Sequence, residues 1–159
     1  MINLIKYYHM NYFNVLKITF FIFLISSIVS CVSSKNQTAE IKELIERECT
    51  TWRSGDGIAH ANCWHIQPYT RVLISTKEGK TIDVPPSNMV QTAPQFLGNG
   101  GTYANSNYKI SVKGKSAWAS HDEVSTSKDG ISTYSYEMKM LEKINNEWKL
   151  VGISIHIYK

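Results

Sequence analysis

The sequence predicts an α+β domain in which helices pack on one face of a curved, mostly antiparallel sheet. Three observations carry that prediction. Apolar residues recur every three or four positions over residues 38–54, the pattern then changes to alternation, and the second half is punctuated by tight turns that force antiparallel neighbours. Helices first and a strand meander last, within one domain-sized stretch, define that class.

The first helix runs from Thr38 to Ser54, with Ile41, Leu44, Ile45, Cys49 and Trp52 on one face and Glu40, Lys42, Glu43, Glu46 and Arg47 elsewhere. Thr38 caps its start, Glu40 suits the positive end of the dipole, and Gly55 offers a left-handed stop. Asp56 caps a short second helix from Gly57 to about Trp64, turning Ile58, Ala61 and Trp64 inward, and Pro68 bounds it. Strands are expected at Thr70–Ser75 and Thr81–Val84, joined by the turn Lys77-Glu78-Gly79-Lys80. Pro85-Pro86 ends the second, and Ser87 begins a brief helix that Pro94 kinks. Beyond the flexible Gly98–Gly101 segment, Tyr108–Val112, Ser116–Thr126, Ile131–Lys143 and Trp148–Tyr158 form a meander with turns at Gly114, Asp129-Gly130 and Asn145-Asn146.

The N-terminus carries a different signal. Lys6 and Lys17 are the only Lys, Arg, Asp or Glu residues before an apolar run from Ile18 to Val29, which is short for a bilayer span and suits an export leader. It ends in Ile28-Val29-Ser30-Cys31, which resembles the bacterial lipobox: an aliphatic residue, a tolerated one, a small one, then the cysteine that is lipidated. The expected organisation is a lipoprotein signal peptide over 1–30, a lipidated tether over 31–37 and one domain over 38–159. The expected location is outside the cytoplasm, lipid-anchored to a bacterial cell membrane, inner or outer. Several acyl chains, at about 0.8 kcal/mol per buried methylene, give stable anchoring. The formal net charge is +4, of which Lys6 and Lys17 supply two, and no basic stretch is interleaved with aromatics, so nucleic acid is not an expected partner. Cys49 and Cys63 are left as two buried thiols or a candidate disulfide between adjacent helices. No metal-ligand spacing, phosphate loop or nucleophile elbow is present, so neither metal nor cofactor is expected.

The order helix, short helix ending in Trp64-His65, strand, and a last hairpin through Leu141-Glu142-Lys143-Ile144-Asn145-Asn146-Glu147-Trp148-Lys149-Leu150-Val151 resembles the nuclear-transport-factor-2-like superfamily. The likeness is to its SnoaL-like, ketosteroid-isomerase-related members, and Cys63–Arg71 and Ala117-Trp118-Ala119 add to it. The resemblance implies a cone: a strongly bent mixed sheet wrapped around the N-terminal helix and two short helices, its mouth leading to an apolar pocket. Enzymes and non-enzymes share this fold.

Candidate pocket residues are Trp52, Trp64, Tyr69, Arg71, Trp118, Tyr134 and Tyr136. Along the third long strand, Tyr134, Tyr136, Met138 and Met140 share one face and are read as the buried one, with Ser135, Glu137 and Lys139 on the other. The isomerase relatives use a carboxylate base, for which the candidates here are His121, Asp122 and Glu123. Strand alternation allows either Asp122 or the pair His121 and Glu123 to face the cone, and the sequence does not choose. On the last strand His156 and Tyr158 point to the outer sheet face, where a homodimer could form. The favoured reading is a membrane-anchored domain binding a small, partly apolar molecule or a protein partner without catalysis. The alternative is an isomerase, dehydratase or cyclase using a pocket histidine or carboxylate as general base.

Overall fold

The computed structural model describes residues 36–98 and 100–159; the expected leader, the lipobox with Cys31 and the first tether residues lie outside them. The unit Thr38–Lys159 is described by itself. Helix α1 spans residues 36–54 and buries Ile41, Leu44, Ile45 and Cys49, as its apolar spacing predicts. It also buries Glu48, Thr51 and Arg53, polar residues that widen the inward face by one column. Gly55 stops it at a φ of +80°. Helix α2, Gly57–Ala61, is capped by the Asp56 carboxylate accepting from the Ala59 N–H at 2.9 Å. Ile58, expected inside, is 81% exposed; α2 is a little over one turn long, and His60 takes the inward position.

Strands β1 (Val72–Ser75), β2 (Thr81–Val84), β3 (Thr102–Lys113), β4 (Ser116–Thr126), β5 (Ser132–Ile144) and β6 (Glu147–Ile157) form one sheet in the order β2-β1-β6-β5-β4-β3. Every pairing is antiparallel except β1 with β6. Asn145 and Asn146, at φ of 50° and 68°, make the two-residue turn between β5 and β6 whose twist matches the strands. The register slips between Ser106 and Lys109 on β3, where Asn107 has φ of 55°, and again between Met140 and Leu141 on β5. Such bulges bend strands and sharpen their twist, which curves the sheet around α1. Single 3₁₀ turns at Pro86–Met89 and Pro94–Phe96 lie between β2 and β3.

The core joins α1 to the sheet through Ile41, Leu44, Ile45, Val72, Leu141, Trp148, Leu150 and Ile153. Glycine is required where the loop after the second 3₁₀ turn meets the end of α1. Gly98 donates its N–H to the Trp52 carbonyl at 2.9 Å, and a Cβ on Gly98 would stand 2.9 Å from Gly55 Cα.

The inward face of β5 is the reverse of the sequence expectation. Ser135, Glu137, Lys139 and Leu141 are buried, whereas Tyr136, Met138 and Met140 are 52%, 52% and 45% exposed. Alternation fixes which residues share a face but not which face is inside. Apolarity points the wrong way here because the buried polar residues are compensated by one another.

Candidate functional site

The α1 turn that carries Glu48, Cys49, Trp52 and Arg53 faces β4 and β5 across a cavity of about 590 Å³. The cavity has two chemically different halves. Val72 and Ile74 of β1, with Ile153, Ile155 and Ile157 of β6, make an apolar wall. Opposite stand the ionisable residues Glu48, Arg53, Glu123, Glu137 and Lys139. Asn88, Gln91, Thr92 and Phe96, from the segment between β2 and β3, complete the lining.

Strand register builds the polar half. On β4 and β5, His121 is paired with Glu137, Glu123 with Ser135 and Ala119 with Lys139, all on the inward face. Lys139, 1% exposed, donates to Glu48 Oε2 at 2.7 Å and stands 3.3 Å from Glu137 Oε2. Arg53 donates to Glu123 Oε1 at 2.5 Å, to Ser125 Oγ at 2.9 Å and to the Cys49 carbonyl at 3.1 Å. The Cys49 thiol is 3.3 Å from Glu123 Oε2. His121 Nε2 lies 3.6 Å from Glu137 Oε2, and His60 Nδ1 lies 4.0 Å from Glu48 Oε1. A row of five ionisable groups thus crosses the domain: His121, Glu137, Lys139, Glu48, His60.

Burial and neighbours set the protonation states. Burial alone would raise the Glu48 carboxyl, but the Lys139 ammonium, with smaller help from His60 and Arg53, outweighs it and holds the group below its ordinary value. Burial opposes the Lys139 charge, yet the Glu48 and Glu137 carboxylates together raise it well above the ordinary lysine value. The pair is therefore ionised, and Lys139 is a fixed cation rather than a nucleophile. Burial lowers both histidines, His121 to about 4, so they are neutral near pH 7. Burial also pushes the Cys49 thiol far up, leaving it protonated and unreactive.

The candidate residues from the sequence divide sharply. Trp52 and Trp64 line the cavity, as does Glu123, while His121 sits buried beside Glu137 under the Tyr108 ring. Asp122 is turned to the opposite face, where its carboxylate accepts from Asn107 Nδ2 at 2.6 Å. Trp118, 44% exposed, and Tyr136 belong to that outer face with it, since strand neighbours two apart share a side. Tyr134 does not line the cavity; its ring meets Tyr158 and Lys159. Tyr69 is exposed and donates to Glu142 at 2.6 Å, and Arg71 is spent on an exposed pair with Asp83. Cys49 and Cys63 are free thiols: one faces Glu123, while the other turns back to the Ala59 carbonyl of its own helix turn. Sequence reasoning missed Glu48, Arg53, Glu137 and Lys139. The available signal was their spacing, since Glu48 is three and four residues beyond Ile45 and Leu44, and Glu137 and Lys139 are in step with Leu141.

The same architecture occurs in solved structures. An NTF2-like protein with a cystatin-like fold from Novosphingobium aromaticivorans superposes with a TM-score of 0.62 at 16% identity, covering 82% of this chain and 87% of the other. An NTF2-like protein of unknown function from Pseudomonas putida KT2440 gives 0.61 at 10% identity, covering 77% and 87%. One from Shewanella baltica OS155 gives 0.58 at 13% identity, covering 78% and 95%. No family model and no curated protein matches the sequence. The chain thus has the nuclear-transport-factor-2-like fold, an α+β cone with a bent, mostly antiparallel sheet.

Proposed function

We propose that this chain is an exported, lipid-anchored binding protein that holds a small, partly apolar molecule in its cone without transforming it. The observation that carries the reading is the cavity itself. At about 590 Å³, with one aliphatic wall and a few convergent polar groups opposite, it has the size and make-up of a small-molecule site. Binding is favoured over turnover because the two cations of the cavity are already tied to its carboxylates, Arg53 to Glu123 and Lys139 to Glu48 and Glu137. An isomerase-type base needs a donor opposite it that is free to hold the developing negative charge. The enzyme reading keeps one observation in its favour: Glu123 does line the cavity, and an isomerase-type reaction would use it as the base.

The anchor rests on the lipobox-like Ile28–Cys31 sequence. The outer sheet face, bearing Trp118 of β4, Tyr136, Met138 and Met140 of β5, and Tyr158 just beyond β6, is the surface offered to a second copy or a protein partner.

Binding is tested with N-phenyl-1-naphthylamine, a neutral apolar dye that brightens in a dry pocket. The wild-type chain should bind it, Ile155→Trp should lose most of the signal by filling the cavity, and Met138→Ser on the outer face should leave it unchanged. Equal signals from all three, or none from the wild type, overturn the reading. Labelled fatty acid fed to the producing bacterium should enter the wild-type chain and not Cys31→Ser.

A further inference from the structure

Three carboxylates and two cations line the cavity: Glu48, Glu123 and Glu137 against Lys139 and Arg53. The two buried histidines beside them do not supply the missing positive charge near neutral pH, since burial lowers both. Formally, the polar half carries one negative charge in excess in a place where an uncompensated charge is costly.

The excess can be located. Glu48 Oε2 and Glu123 Oε1 receive the direct hydrogen bonds of Lys139 and Arg53. Glu137 shares the same ammonium at the longer distance of 3.3 Å through Oε2. Its Oε1 accepts a bond from Ser135 Oγ at 3.4 Å, near the limit for such a contact, although the residue is 6% exposed and lines the cavity. Glu123 Oε2 has the weak Cys49 thiol as its donor. Glu123 and Glu137 are diagonal neighbours on the inward face of β4 and β5, a spacing of about 7–8 Å between backbones that long side chains can bridge, and both line the cavity. Directly across from Glu137 and Ser135 on β6 stand Ile155 and Ile157, where the aliphatic wall begins.

Resting on the binding function proposed above, we infer that the ligand is a cationic amphiphile: an alkylamine whose ammonium sits between Glu123 and Glu137 while its hydrocarbon lies along Ile153, Ile155 and Ile157. An ammonium brings three donors and no acceptor, which matches two under-supplied carboxylate oxygens and the Ser135 hydroxyl. A carboxylate of the same length would add a second excess negative charge, and an alcohol would leave the first in place.

The test uses the purified full chain titrated with hexylamine, hexanol and hexanoate at pH 7, followed by tryptophan fluorescence, since Trp52 and Trp64 line the cavity. Hexylamine should bind at least tenfold more tightly than hexanol, with hexanoate weakest. Glu137→Gln should reduce that preference at least tenfold, whereas Met138→Ser on the outer face should leave it unchanged; an undiminished preference in Glu137→Gln overturns the placement of the ammonium. The three-probe comparison on the wild type decides the matter without any variant. If hexylamine and hexanol bind equally, the cavity reading stands and the cationic ligand is overturned. Tightest binding of hexanoate overturns it as well, and binding of none of the three, together with no response to the apolar dye, overturns both.

Discussion

The two faces of β5 are made of the wrong residues for their positions. The inward row carries Ser135, Glu137 and Lys139, and the outward row carries Tyr136, Met138 and Met140. A polar row can be buried when its charges share opposite partners, and an apolar row can be exposed when strands beside it continue the same surface. The inward row is tied to α1 through Lys139 and Glu48, so it belongs to the fold. The outward row makes a patch with Trp118 of β4, and Met140 lies over Gly152 of β6, where a Cβ would stand 2.4 Å from the Met140 Cε. That row is available to something outside the domain. Hydrophobicity alone therefore misjudges both rows, and pairing explains both.

The comparison breaks most directly at Lys139. Lys139→Met leaves Glu48 and Glu137 without their shared cation and should cost about 3–5 kcal/mol in urea unfolding, whereas the double change Lys139→Met with Glu48→Gln should recover a large part of it. A loss below about 1 kcal/mol in the single variant would show that the inward row is not an interdependent charge set.

A smaller effect is expected from pH. The folded domain holds His121 at about 4 against an ordinary 6.5, so between those values the unfolded chain takes up a proton that the native one refuses. Stability should then fall as pH drops from about 6.5 to about 4, by about 3 kcal/mol from this residue. Glu48, held below its ordinary 4.5, has the same sign and adds a further loss at still lower pH. His121→Phe should remove the upper part of this slope, measured by thermal unfolding across the pH range; an unchanged slope would mean that His121 is not buried neutral.

The smallest effect belongs to the outer row. Met138→Ser should change the stability of the monomer by no more than about 0.5 kcal/mol, because its side chain is half exposed. Any self-association seen in sedimentation should weaken. A loss above about 2 kcal/mol would mean that the two faces are assigned the wrong way round.

Much of the fold was legible because it depends on spacing and turn chemistry. The 3.6-residue period of α1, the Gly55 stop, the Asn145-Asn146 turn and the strand pair at Thr81–Val84 all follow from local rules, and the structure agrees with them. The site was less legible because it depends on compensation at a distance. Lys139 and Glu48 are 91 residues apart, and nothing near either one says that it has a partner. Sequence placed His121 and Glu123 together on one face and Asp122 on the other, but choosing between the faces required β5 to be seated on α1. The strand expected at Tyr108–Val112 begins earlier, at Thr102, because β3 continues through a bulge at Asn107.

That bulge also bears on how the molecule behaves among its own kind. β3 ends the sheet, and a twelve-residue border of unpaired N–H and C=O groups would accept a strand from any neighbour. Left-handed Asn107 breaks the ladder midway, and exposed Lys109 and Lys113 stand beyond it, so an incoming strand meets an interrupted and positively charged border. Under the proposed anchoring, copies share a two-dimensional surface and meet often. The irregularity at residue 107 then keeps them from zipping edge to edge into fibres.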